Sequence, residues 1–201
     1  MADLQDVINS RRTIYRFSDK LVEEKDLETA FHAANSAPCH KLTFPWKFYV
    51  LGMETREKLL ERVGFLAREK ADKKGESDKI LAEKKAISKI RDVPVIIAVT
   101  SKLTAGDIFR EQEDYAATVC SLHNLVLSLW DSGIGSQWST GSITRDDSTY
   151  AHLQIDSQKE KIITYFAFCC SVRRGKIKNN GYATDACRYV EQGRPRRTPD
   201  P

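Results

Sequence analysis

The chain has no apolar run long enough to cross a membrane. Its longest, Val93 to Val99, is interrupted by Pro94, whereas a spanning helix needs ~20 apolar residues. It has no CxxC pair, and its five cysteines (Cys39, Cys120, Cys169, Cys170, Cys187) are odd in number. Neither a disulfide framework nor a zinc site is written in that spacing, and reduced, packed thiols are expected. The opening Met1-Ala2-Asp3-Leu4-Gln5-Asp6 is acidic and polar where a secretory leader would be basic and then apolar, so a cytoplasmic location is expected. There is no internal repeat. No Ser-His-Asp, paired-carboxylate or metal constellation stands out, so neither a catalytic side chain nor a metal ligand is assigned.

Net charge is also scarce: 32 basic against 28 acidic residues leave +4 over 201 positions. Residues 172–201 alone carry +5, so the preceding chain is at −1. That basic tail has no aromatic interleaving or helical pattern that would read a nucleic-acid groove, and no nucleic-acid partner is expected. Its low apolar content would not fold alone, so it is expected to be disordered or to lie on another surface. The expected division is therefore a single domain over 1–172 and a basic extension over 173–201.

What is present is a regular alternation of patterns. Leu4, Val7 and Ile8 predict a short amphipathic helix before Arg11-Arg12, and Leu27, Ala30, Phe31 and Ala34 predict a second that ends at Ala37-Pro38. Trp46–Gly52 reads as a strand, and Glu54–Val63 as a helix. Residues 67–92 hold 15 charged positions of 26, and predict an exposed helical excursion. Val93–Thr100 has the composition of a strand buried on both faces. Glu111–Ser132 is the central core helix, with Gly133 as its terminator. Thr144-Arg145-Asp146-Asp147 resembles a capping box, and Lys161–Ser171 is the last core strand. The order defines a mixed α+β domain.

Three segments carry chemistry. Arg11-Arg12-Thr13-Ile14-Tyr15-Arg16 gathers three guanidiniums beside a hydroxyl, which suits a phosphate dianion as well as it suits a helix C-terminus offset by cations. Ser36-Ala37-Pro38-Cys39-His40-Lys41-Leu42-Thr43-Phe44-Pro45-Trp46 places a His-Lys pair between an apolar helix and an aromatic strand, as binding loops do. Gly133 to Gly141 combines small residues with the ring of Trp138 and the hydroxyls of Ser139 and Thr140, a combination that admits a flat ring.

In this order and spacing the segments resemble the nitroreductase family of FMN-dependent flavoproteins, in its compact bacterial form. Arg11-Arg12-Thr13 stands for the family's Arg-Arg-Ser, and Ala37 to Trp46 for its Ala-Pro-x-His-x-x-x-Gln-Pro-Trp loop. Trp138 to Gly141 stands for its Trp-x-[Ser/Thr]-Gly turn. The resemblance spans about residues 2–173. It implies a central, mostly antiparallel sheet flanked by helices, and a homodimer whose C-terminal extensions reach the partner. It implies that Arg11, Arg12 and Thr13 hold the FMN phosphate and ribityl chain, that Trp138, Ser139, Thr140 and Gly141 line the flavin, and that Pro38 and His40 reach it from the other subunit. Arg197 is expected to complete the phosphate site, with Arg173 and Arg174 as the alternatives. The implied activity is ping-pong transfer of electrons from NAD(P)H through the flavin N5 to a nitroaromatic, quinone or similar acceptor. A flavin-storing or flavin-sensing protein with little turnover is the alternative. Phe44 stands where the family carries Gln, and Tyr15 where many members carry another Arg; both departures bear on substrate preference rather than on FMN binding.

Overall fold

A computed structural model describes residues 3–18 and 20–170. Ten main elements follow in the order α1 (Leu4–Ser10), α2 (Glu24–Asn35), β1 (Trp46–Val50), α3 (Met53–Lys73), α4 (Lys79–Arg91), β2 (Val95–Lys102), α5 (Ile108–Asp131), β3 (Ile134–Ser139), α6 (Asp147–Leu153) and β4 (Glu160–Cys170). The four strands form one antiparallel sheet in the order β1-β2-β4-β3.

The sheet is covered on both faces, which explains why β2 is apolar at nearly every position. Ile97 and Val99, with Phe166 and Phe168 of β4, pack against Leu122, Leu125, Val126 and Leu129 of α5 and Ala30 and Ala34 of α2. Ile96 and Ala98 alternate to the opposite face, where they meet Leu59, Leu60 and Val63 of α3 and Ile90 of α4. Full burial of each Leu or Ile in these layers stabilises the fold by roughly 1.5–3 kcal/mol. One irregularity matters for the site. Between Val99 and Thr100 the register of β2 on β4 slips past Ile163. This bulge leaves the fully buried Thr164 beside the end of β3.

Two local expectations need correction. The helix predicted to close at Val63 runs on to Lys73, because Gly64 is spanned rather than used as a stop. A Cβ there would meet Glu83 Oε1 at 2.8 Å, so the glycine permits α4 to approach. The charged stretch 67–92 is thus the last third of α3 followed by the antiparallel α4, with Ala71 of the first and Ile90 of the second buried. The predicted capping box at Thr144 does not form. Its hydroxyl donates to Gly141 O at 2.9 Å within a 3-10 turn, and α6 starts at Asp147 behind Asp146. The terminator of α5 is as expected: Gly133 follows the C-cap Ser132 with φ +76°, a left-handed position that glycine takes without strain.

Candidate functional site: a basic turn beside a short strand, and a strained loop at the far end of the core helix

The basic segment begins where α1 stops. Val7 is buried, and Trp130 Nε1 donates to Ser10 Oγ at 2.9 Å, tying α1 to the last turn of α5. Arg11 caps the helix with extended backbone, so the chain turns away and runs alongside β3. Thr13 forms a parallel bridge to Ser136, and Ile14 N donates to Ser136 O at 2.9 Å. This contact joins the first and third sequence segments across more than a hundred residues.

The arginines of this turn behave differently. Arg12 folds its Nη1 back onto the carbonyls of Asn9 and Arg11, both at 2.7 Å, and acts as the cation at the end of α1. Arg11 is half-buried and forms no ion pair among the described residues. It lies near His123 of α5, whose pKa is lowered first by burial and then by the Arg11 charge. An arginine left without a carboxylate in a partly desolvated turn is suited to an external anion.

β3 presents the flat surface. Trp138 is 37% exposed. Ser139 is fixed by Thr164: its N–H donates to Thr164 Oγ1 at 3.2 Å, and its carbonyl lies 2.9 Å from the same hydroxyl. Thr140 is exposed. Gly141 has φ −69°, and a Cβ there would meet only Ile143 at 3.9 Å. Neither backbone nor packing therefore requires glycine at that position.

Pro38 and His40 sit elsewhere. Their loop follows α2 and lies on the first turns of α5. Arg110 Nη2 donates to His40 O at 3.1 Å, and Thr43 Oγ1 donates to Asp114 Oδ1 at 2.7 Å. The His40 ring is exposed, with Nε2 3.9 Å from Glu113 Oε1. Phe44 meets Trp46 edge-on at 5.8 Å. Both rings line a groove of about 750 Å³ with Phe31, Asn35, Phe48 and Val50, along the outer edge of β1. From Arg110 to His123 the helix rises about 20 Å at 1.5 Å per residue. The Thr13–Ser136 bridge sets the Arg11–Thr13 turn beside the first half of β3, the strand that leads on to Trp138, Ser139, Thr140 and Gly141, whereas Pro38 and His40 lie by the first turns of α5, well away from Arg11. Arg197, Arg173 and Arg174 lie outside the described residues.

Sequence reasoning passes over Ser136, Thr164, Arg110 and Asp114. The first two act through backbone and bulge geometry, which leaves no pattern in the chain. Asp114 does leave one: it is a lone acid on the apolar stripe of a core helix, and it is buried to 2% exposure.

Solved structures with this sheet and helix order define a nitroreductase-like class. A nitroreductase-like family protein from Bacillus cereus superposes with a TM-score of 0.75 at 25% identity, covering 95% of this chain and 97% of that one. A nitroreductase with bound FMN from Bacteroides fragilis NCTC 9343 superposes at 0.70 with 19% identity, covering 95% and 100%. Among curated sequences, "Putative NAD(P)H nitroreductase YfhC" of Bacillus subtilis (strain 168) is 31% identical over 147 residues, which is 73% of this chain and 74% of that protein. The match to the Nitroreductase family extends over residues 8–170, and the chain belongs to that family. Among the described residues no helix is long and apolar enough to cross a membrane.

Proposed function

We propose that the protein is an FMN-dependent oxidoreductase that takes electrons from NAD(P)H and delivers them, by a ping-pong mechanism, to a small oxidised acceptor such as a nitroaromatic or quinone. The observation that carries the reading is the Thr13–Ser136 bridge. It sets a basic, hydroxyl-bearing turn against the strand that bears Trp138 and Ser139 and leads on to Thr140. The donor set fits FMN: a guanidinium with no ion-pair partner among the described residues for the phosphate, hydroxyls for the ribityl chain, and an aromatic wall for the ring. The Bacteroides fragilis relative contains that cofactor, and YfhC carries the NAD(P)H nitroreductase name.

Bound FMN would supply the two-electron chemistry. The chain's own part is positional and electrostatic. Arg11 and Thr13 hold the phosphate end. Arg12 joins them by releasing the carbonyls of Asn9 and Arg11, or else stays as the helix cap that orients Arg11. Trp138, Ser139, Thr140 and Gly141 line the ring, and Gly141 keeps its side of the turn open to close approach. Arg197 of the basic extension is the proposed last phosphate ligand.

Because Pro38 and His40 stand about 20 Å along α5 from the Arg11 turn, a site using both draws them from two chains. A homodimer answers this, and the outer edge of β1, which pairs with no strand among the described residues, offers with its aromatic groove a seat for the partner's extension. No side chain is required as a general acid. Absorbance of the purified protein, followed by anaerobic mixing with NADH or NADPH, tests the reading. Oxidised-flavin bands that bleach on mixing are expected. Bands that persist with both nucleotides would favour a flavin store or sensor, and protein that stays colourless after incubation with FMN would defeat the flavin reading.

A further inference from the structure

The loop that carries Pro38 and His40 is held in a conformation its own residues disfavour. Lys41, Leu42 and Phe44 stand at φ +54°, +51° and +43°. None is glycine, so the shape must be imposed from outside. Three contacts hold it, two of them from α5 and one within the loop. Asp114 Oδ1 accepts from Thr43 Oγ1 at 2.7 Å, Arg110 Nη2 donates to the His40 carbonyl at 3.1 Å, and Cys39 Sγ accepts from Phe44 N at 3.1 Å. The first two share one anchor, since Arg110 Nε lies 3.5 Å from the same Asp114 oxygen. Packing does not account for this carboxylate. Its second oxygen, Oδ2, is buried without a partner among the described residues, a cost that a core helix has no internal reason to bear.

We propose that Asp114 is a positioning residue: through Thr43, and with Arg110 on the His40 carbonyl, it latches residues 38–44 so that Pro38 and His40 are presented to the flavin site of a second chain. The inference rests on the functional reading above for its destination, whereas the latch itself does not depend on it. Lys41 is exposed, so tryptic cleavage of the Lys41–Leu42 bond in the full-length protein reports loop opening directly.

Thr43→Val removes the donor without changing side-chain size. It should speed cleavage at Lys41 about tenfold, the effect of losing one charge-assisted hydrogen bond on a local opening equilibrium. Thr43→Ser should restore the wild-type rate, and Asp114→Asn should fall between. The thermal midpoint of Thr43→Val should fall by only a few degrees, as the loss of one such bond costs, and its FMN dissociation constant should rise about tenfold, both with rescue by Thr43→Ser. Cleavage of Thr43→Val at the wild-type rate overturns the latch. Faster cleavage with unchanged FMN affinity overturns the positioning role. A chain that binds no FMN in any form fails the functional reading instead, while the cleavage rates still decide whether the latch exists.

Discussion

Replacing Arg56 with methionine probes what joins the two ends of the β1–β2 connection. Arg56 is 4% exposed, and among the described residues it faces no carboxylate; its guanidinium donates to main-chain carbonyls. Nε reaches Leu51 O at 2.9 Å, Nη1 reaches Val93 O at 2.5 Å, and Nη2 reaches Pro94 O at 3.2 Å. Leu51 follows β1, and Val93 and Pro94 precede β2, so one side chain fastens both ends of the α3–α4 hairpin to the sheet. Burial lowers the guanidinium's pKa, but arginine remains charged. A hydrogen bond to a charged group contributes about 1.5–3 kcal/mol, and each orphaned buried carbonyl costs about 1–3. Relief from burying the charge offsets part of this. The net loss for Arg56→Met is about 3–4 kcal/mol, and at about 2–4 °C per kcal/mol for a chain of this size the midpoint falls by about 10 °C. Arg56→Lys should recover less than half, because one ammonium cannot bridge carbonyls on two segments. Near-ultraviolet circular dichroism melts, with urea titrations for the free energy, would measure both variants. A methionine variant within ~1 kcal/mol of wild type, or a lysine variant equal to it, would refute the reasoning.

Three further outcomes follow from the same geometry. Thr164→Val keeps the shape of a fully buried side chain but strands the Ser139 N–H and carbonyl. It should cost about 1–3 kcal/mol and weaken FMN binding several-fold, read by urea titration and flavin fluorescence. Gly64→Ala should be nearly neutral by thermal melt, since the gain in helix propensity of ~1 kcal/mol offsets the displacement of a flexible Glu83 tip, whereas Gly64→Leu, driven also into Ile87, should cost about 2 kcal/mol. Asp146 is held below the usual carboxylate range by hydrogen bonds from Arg62, burial opposing them and Ser148 adding to them. Burial by itself would raise Glu160, but bonds from Lys47, Thr100 and Tyr49 outweigh it and keep its pKa low. Depressed folded-state pKa values give stability that is present above the unfolded value, near 4, and is lost as pH falls through the folded value. Melting midpoints should therefore drop between about pH 5 and 3, and an Asp146→Asn, Glu160→Gln double variant should show a flatter profile over that window.

The elements legible in the chain are those whose burial leaves a period. The 3.6-residue stripe of α5 and the doubly buried β2 are readable because a core on both faces of a sheet demands them. The resemblance carried by Arg11-Arg12-Thr13 and Ala37 to Trp46 made the family readable as well, since paired short motifs at a fixed separation are rare by chance. What hides is the long-range geometry. The bulge at Thr164 depends on two strands at once, and the Thr13–Ser136 bridge on a turn and a strand far apart in sequence. Nothing in the sequence shows that Gly64 faces Glu83 and Ile87 of a neighbouring helix. Arg12 looks like a phosphate ligand in the sequence and stands in the structure as a cap on α1, two uses of the same cation that differ only in where the side chain turns.

The central claim is an FMN site built from the Arg11 turn of one chain and the Pro38–His40 loop of another. Co-expression of an Arg11→Glu chain and a Pro38→Glu chain, under different affinity tags, and purification of the mixed dimer test it most directly. Each homodimer should be colourless and inactive with NADH or NADPH. In the mixed dimer one site pairs both damaged segments and the other neither, so about half the wild-type flavin content and NAD(P)H-dependent turnover should return. A mixed dimer as empty and inactive as its parents would contradict the account.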